Sequence, residues 1–249
     1  MSDDDARRFA AACRKARVDL VISAYGDPTE HIKRVKDIGA IAWHDVTNVR
    51  FAEKALRAGA DGLVAIGAGG GGHSGTISHL ALIPRLRRMF DGTLVMAGAV
   101  ATGATIRAAE ILGADLAYLG TRFIASRESL AQDAYKELIA TGTTADLAFI
   151  TNPTGVHANW MKESLRLVGL DPEALPERTA PRGYDHLGGI RPWRDFWSCG
   201  QGLELIDDSP TVAEICSRLR REYLSACRTP SFADAAQLAE QVFEAASAL

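Results

Sequence analysis

The sequence predicts an α/β fold of repeated βα units around a parallel sheet, and three observations carry that prediction. Amphipathic helix patterns alternate with short apolar runs from Asp3 to about Ile150, the signature of strand and crossover helix in turn. The runs are apolar on both faces, as strands covered by helices are. Before three of them stands the same punctuation, "IGA" at Ile38, "AGAD" at Ala58 and "LGAD" at Leu112, where a glycine permits the left-handed backbone that ends a helix.

The elements follow in order. "DDARRFAAACRKARV" reads as an amphipathic helix leading into the first run, "DLVISAYG" (Asp19 to Gly26). Pro28 suits the first turn of a helix through "TEHIKRVKD", and "AIAWHDV" (Ala40 to Val46) is the second run. In "NVRFAEKALRA" the residues Val49, Ala52 and Leu56 share a helical face before Gly59 stops the helix. "GLVAIG" (Gly62 to Gly67) then passes directly into "GAGGGGHSG". Pro84 would disrupt the interior of a helix in "HLALIPRLRRMF", so that helix is expected to begin near Ile83. "TLVMAGA" (Thr93 to Ala99) and "LAYLGT" (Leu116 to Thr121) complete five runs. Beyond Ile150, prolines 153, 172, 176, 181 and 192 break the pattern and no further strand is expected. Two helices are expected there, Thr211 to about Ala226 and Phe232 to about Leu249. The chain thus divides into a βα region, 1–150, and a C-terminal extension or lid with helices, 151–249.

Composition removes several functions. With 47% hydrophobic and 24% charged residues, the 249-residue chain has an ordinary globular balance. A formal net charge of -3 leaves no electrostatic footprint for nucleic acid. No stretch approaches the roughly 20 apolar residues of a membrane span, and the N-terminus lacks a basic segment followed by an apolar one. A cytoplasmic location is expected. Cys13, Cys199, Cys216 and Cys227 show no CxxC spacing, so reduced thiols are expected.

In parallel βα folds the chemistry sits beyond the C-terminal ends of the strands. The glycine-rich stretch has that position. Its bare backbone lets a ligand or a neighbouring chain segment come close, and His73 can move protons near neutral pH; a flexible loop with an incidental histidine is the alternative. A nucleotide-type GxGxxG lacks its acidic residue at the end of the next strand, and no Gly-Lys-Ser/Thr follows for a phosphate loop. The next two strand ends, "VMAGAV" and "LGTRF", can present backbone amides to a phosphate through Gly98, Ala99, Gly120 and Thr121; tight packing is the alternative. His44 ends a strand and can face a ligand, or else bond to Asp45 or Thr47. His31 and His79 are expected to face solvent. No histidine pair at i,i+4 with a carboxylate suggests a metal.

"GADGLVAIGAGGGGHSG", followed by "LVMAGAVATGATIRAAEILGADLAYLGTRFIAS", resembles the flavin-binding half of the nitronate monooxygenase family, also called 2-nitropropane dioxygenases. "WSCGQG" is similar to that family's C-terminal Ser-x-Gly-Gln element. The resemblance implies a TIM-barrel fold, (β/α)8 type, holding FMN and oxidising alkyl nitronates with O₂. It implies His73 as base or electrostatic partner of the substrate and Gly72 along the cofactor. Gly98, Ala99, Gly120 and Thr121 would be the phosphate turns, with Gln201 also at the cofactor and Ser198 and His44 towards the substrate. Trp193 and Trp197, four apart, suit one face that docks the C-terminal segment, and Cys199 a packed position. "TGVHANW" also resembles a family stretch, without a role for His157 or Asn159.

Two departures stand out. Many members read Gln-Gly-x-Glu-Ala-Gly-Gly-His in the histidine loop, whereas Ile66 and Gly69 hold the Gln and Glu positions here. Five βα units are found where a closed barrel has eight, which suggests an N-terminally incomplete barrel whose start lies upstream; a partner that completes the barrel and an open five-stranded remnant that exposes apolar strand edges and barrel interior are the alternatives. An FMN-dependent NAD(P)H:quinone or enoyl-thioester reductase, another sugar-phosphate barrel and an inactive truncated barrel remain alternatives, and a homodimer is left open.

Overall fold

The computed structural model describes residues 3–176 and 185–228, together with 236, 239 and 240. Helix α1 (Asp3–Ala16) precedes β1 (Leu20–Ser23), α2 (Thr29–Asp37), β2 (Ile41–Val46), α3 (Val49–Arg57) and β3 (Gly62–Ile66). The glycine stretch then forms a two-residue strand, β4 (Gly72–His73). Next come α4 (His79–Arg87), β5 (Thr93–Ala97), α5 (Gly103–Leu112), β6 (Leu116–Tyr118) and the short α6 (Thr121–Ile124). The remainder holds α7 (Asp133–Thr141), β7 (Leu147–Ile150), β8 (Ala158–Met161), α8 (Lys162–Leu167) and α9 (Val212–Ala226).

All five expected runs are strands of one sheet, ordered β1-β2-β3-β5-β6, and every neighbouring pair is parallel. Each strand therefore lies beside the one before it, the winding of a (β/α)8 barrel, with five of its strands among the described residues. The helix stops are local in origin: Gly39, Gly59 and Gly113 have φ of 81°, 89° and 104°, a conformation that costs glycine little. The helix starts are local too, since Asn48 caps α3 by accepting from Phe51 N–H, and Thr102 and Thr105 form a reciprocal cap on α5.

Strand alternation divides the side chains between two faces. On one, Ala42, Val46, Leu63, Ala65, Leu94 and Met96 pack against the helices in the main core. On the other, Trp43 and Ile66 join Val64, Val95 and Ala97 in a smaller cluster. Around it Leu20, Ile22, Ile41 and Leu116 stand exposed, as expected for barrel interior with five strands present.

The structure corrects two expectations. α4 begins at His79, four residues before Ile83, and carries Pro84 inside it. The carbonyl that loses its partner to proline is that of Leu80, and Leu80 is 75% exposed, so water can take the bond; Ser78 caps the start by accepting from Leu80 N–H. A strand also follows Ile150: β8 pairs antiparallel with β7 on one side and with β4 of the glycine stretch on the other. It was not evident because all four of its residues are buried and Asn159 sits among them, which erases the alternation.

The C-terminal segment builds its own packing against this frame. Met161, Trp197, Cys199 and Leu203 share one cluster with Ala101 and Ile139, and Trp160, Leu165 and Phe196 share another. Helix α9, expected from Thr211, is capped by that residue and Glu214. It lies close on the start of α5, where Gly103 N–H donates to Glu222 and a Cβ on Gly103 would stand 2.2 Å from Tyr223 N. The helix expected from Phe232 lies outside the described residues but for 236, 239 and 240. No helix among the described residues is long and apolar enough to cross a membrane.

Candidate active site

The C-terminal ends of the parallel strands open on a cleft of about 810 Å³, within the size range of small-molecule sites. Gly72 and His73 line it from the glycine stretch, Gly98 and Ala99 from the end of β5, and Gly120 and Thr121 from the end of β6. Ser198 and Gly200 line it from the C-terminal segment. Residues separated by up to half the chain thus meet in one space.

The bareness of the glycine stretch has a specific cause. A Cβ on Gly71 would lie 2.8 Å from Gly200 N, and one on Gly98 would lie 2.9 Å from Gly70 Cα and N. Gly69, with φ of 92°, sits beneath the Gln201 carboxamide, whose Oε1 would be 2.9 Å from an added Cβ. Neighbouring backbone, rather than open space, takes the room that side chains would need. Ser74 ties the loop to itself, with Oγ donating to Gly67 C=O and accepting from Gly70 N–H, while Asn159 Nδ2 donates to Gly70 C=O at 2.7 Å. Gln201 N–H donates to Gly69 C=O and Gly200 N–H to Thr121 Oγ1, so the C-terminal segment closes directly on the loop and on the β6 turn.

His73 projects into a box of aromatic rings. Tyr25 meets it edge-on at 4.7 Å and Trp193 at 5.0 Å between centroids. Both neighbours have left-handed backbones, φ 67° and 62°, as does Ala99 at 57°; such strain collects where a structure is held for function. Burial lowers the pKa of His73 below the usual histidine value, which keeps the imidazole neutral near pH 7. Its Nε2 lies 3.1 Å from Thr154 Oγ1, whose own proton is directed to Val156 C=O. Thr154 therefore accepts from Nε2–H, and the lone pair falls on Nδ1.

The other sequence-derived positions are placed unequally. Ser198 is buried; its Oγ accepts from Trp193 Nε1 at 3.1 Å, and its carbonyl accepts from the Tyr135 hydroxyl. Gln201 is exposed and its contacts are with Gly69, outside the cleft lining. His44 borders the cleft, yet its Nδ1 shares a hydrogen bond with Ser23 Oγ at 2.8 Å rather than with Asp45 or Thr47. Strand alternation turns Ala42 and Val46 towards the helices, and His44 with them. His79, expected in solvent, instead turns inward, with Nε2 at 2.8 Å from Ala97 C=O and its ring against Gly67. His31 is half-buried against Phe9. Trp193 and Trp197 do not form one face: Trp193 covers His73, and Trp197 stacks on Tyr135 at 4.9 Å. Cys199 is fully buried, and burial pushes its thiol up to about 12, which leaves it unreactive.

Tyr25, Trp193, Thr154 and Asp45 are site residues that the sequence reading did not assign. Only Asp45 carried a local signal, since it shares strand parity with Trp43 and so faces away from the helices. Arg122 of "GTRF" is nearly fully buried; it pairs with Asp208 at 3.0 Å and donates to the carbonyls of Ala125 and Asp208, fastening the β6 turn to the C-terminal segment.

Known proteins resemble the chain in sequence and fold. A nitronate monooxygenase of Paraburkholderia phytofirmans is 30% identical over 222 residues, 82% of this chain and 60% of that protein, so the chain spans less than two thirds of that relative's length. A (3aS,4S,5R,7aS)-5-hydroxy-7a-methyl-1-oxo-octahydro-1H-indene-4-carboxyl-CoA dehydrogenase of Rhodococcus jostii is 31% identical over 135 residues, 51% of this chain and 38% of that one. The nitroalkane oxidase structure from Streptomyces ansochromogenes superposes with a TM-score of 0.72 at 25% identity, covering 92% of this chain and 71% of that one, which supports the α/β barrel fold. The family model for nitronate monooxygenase matches residues 1–222, and with the histidine loop, the two small-residue turns and the C-terminal closure on one cleft, the chain belongs to the nitronate monooxygenase family.

Proposed function

We propose that the protein is an FMN-dependent oxidoreductase that oxidises alkyl nitronates with O₂, with His73 as the base or electrostatic partner of the substrate. The observation that carries this reading is the opening of His73 and both small-residue turns onto a single cleft. The residues present suit the phosphate end of FMN: Gly98 and Ala99 are both left-handed, and a Cβ on Gly120 would meet nothing within 4 Å. In this reading the backbone amides of Ala99 and Thr121 hold the phosphate, and Gly72 lies along the cofactor. FMN bound there would supply the redox chemistry between the nitronate and O₂.

The chain's own residues do the rest. His73 enters neutral, with its lone pair on Nδ1, so it can take a proton from a nitroalkane or orient its nitronate. Tyr25 and Trp193 restrict water around the imidazole. Ser198 is held by Trp193 at the cleft edge, where its hydroxyl can meet a polar substrate group. The four cysteines are free, which suits a reducing cytoplasmic setting. The test is titration of FMN into the purified protein, followed by nitronate-dependent oxygen uptake. Saturable binding with uptake is the expected result, and a protein that takes up no flavin overturns the reading.

A second reading keeps FMN and changes the substrate to a thioester. It is favoured by Ile66, which puts an apolar side chain on the cleft wall, and by the Rhodococcus jostii relative named as an indene-carboxyl-CoA dehydrogenase. Rapid anaerobic bleaching of bound flavin by NADH or NADPH without nitronate turnover would select it.

A further inference from the structure

The floor of the cleft carries a carboxyl group for which the reading above has no use. Asp45 lies near the C-terminal end of β2, in register opposite Val64 of β3. Its parity with Trp43 sets it on the sheet face that holds Val64, Ile66, Val95 and Ala97. The environment is therefore apolar. Asp45 lines the cleft, and its Oδ1 is buried without a hydrogen-bond partner. A buried acceptor left this way is costly unless something supplies a bond. Burial alone raises its pKa to about 6.

The neighbouring ionisable groups do not neutralise it. Tyr25 faces the cleft from the end of β1, His73 from the glycine stretch and Tyr118 from β6. Lys54 of α3 is engaged with Asp27 at 3.1 Å. Tyr135 and His157 close the far wall, and His44, next along β2, bonds to Ser23. Burial lowers the pKa of both His44 and His73, so neither is a standing counter-charge.

We propose that Asp45 is a substrate-binding acid, carrying its proton when ligand is seated and donating a hydrogen bond to an anionic oxygen of that ligand. It rests on the functional reading above for the identity of the anion, a nitronate. An ionised Asp45 would repel such a group, whereas the carboxylic acid donates to it, so ligand binding takes up the proton that Asp45 has lost at neutral pH. No bond to carbon is made or broken by this residue.

The experiment is anaerobic calorimetry of the FMN-loaded protein with propane-2-nitronate, and with nitrite as an unreactive small anion. Each titration is run in two buffers of different ionisation enthalpy at pH 5.5 and 7.5. Wild type should take up close to one proton per anion at pH 7.5 and little at pH 5.5, with affinity falling about tenfold per pH unit above the midpoint of Asp45. Asp45→Asn keeps a donor at the position and should bind with no uptake and a flat pH profile. Uptake that survives in Asp45→Asn but vanishes in His73→Asn assigns the proton to the histidine and overturns the proposal. So does wild-type uptake of zero at pH 7.5, a result that needs no variant to fold. Proton-coupled nitrite binding without nitronate turnover would refute the functional reading and leave the role of Asp45 standing.

Discussion

Asp45→Asn should change how stability depends on pH, by an amount that follows from burial. The folded-state value of about 6 lies above the ordinary 3.8, a difference worth about 3 kcal/mol at 1.36 kcal/mol per pH unit. Because the unfolded chain loses this proton first, the contribution is fully present below about pH 3.8 and is lost as the pH rises through about 6. Some 2 kcal/mol of it, roughly, falls between pH 4.5 and 7.5. His31, His44 and His73, all lowered by burial, push the opposite way in the upper part of this window. They are common to both proteins and cancel in the difference.

The assay is urea unfolding of wild type and Asp45→Asn at half-unit steps across that window. The asparagine amide is also buried, so a constant offset between the two proteins carries no information; the slope does. Relative to the variant, wild type should lose about 2 kcal/mol from pH 4.5 to 7.5, or roughly 4–8 °C in melting temperature for a chain of this size. A difference flat to within about 0.5 kcal/mol, the usual reach of a surface substitution, would mean that Asp45 is solvated and that its surroundings are not apolar.

Three further outcomes test the site. His73→Asn in flavin-loaded protein should retain FMN while turnover falls by about 10²-fold or more, measured by visible absorbance and oxygen uptake; unchanged turnover would reduce His73 to scaffold. Gly98→Ala meets both a φ of 104° and backbone atoms at 2.9 Å, and should cost about 1–3 kcal/mol in urea unfolding together with weaker FMN binding; an unchanged midpoint would contradict the close approach of the two loops. Arg122→Ala removes a nearly fully buried guanidinium that bonds Asp208 and two carbonyls, while Arg218 still pairs with the part-exposed Asp208, and should cost about 1–3 kcal/mol, whereas a loss under about 0.5 kcal/mol would place the pair in solvent.

What the sequence made legible was local in cause. Gly39, Gly59 and Gly113 end helices through their own backbone freedom, and five strands follow from short-range apolar runs. The proline in α4 misled because Leu80, whose carbonyl it strands, is largely exposed, a fact of packing. The site divides in the same way. The small-residue turns and His73 could be placed from strand ends and family resemblance, but Thr154 reaches His73 from 81 positions away. Nothing near Tyr25 or Trp193 announces a left-handed backbone at an aromatic residue. His44 and Asp45 were separable in principle: adjacent strand residues point to opposite faces, so no more than one of them could face the barrel interior, and Trp43 already marked that side.

Position 69 is bare for a local reason: a side chain there would have to adopt a φ of 92° and displace the Gln201 carboxamide, whose Oε1 would lie 2.9 Å from an added Cβ. Gly71 and Gly98 are bare for a related reason, because Gly200 and Gly70 press against them. Three separate parts of the chain, the loop after β3, the turn after β5 and the segment around Gly200, are therefore held in close backbone contact, with Asn159 on Gly70 and Thr121 on Gly200 adding side-chain hydrogen bonds. A histidine mounted on such a lock has little freedom to drift, and its ring is further held by Tyr25, Trp193 and Thr154. That is preorganisation of the proton-handling group by main chain, and it implies that substitutions at Gly200 or Gly71, which need not touch a ligand, should disturb His73 as strongly as substitutions within the aromatic box.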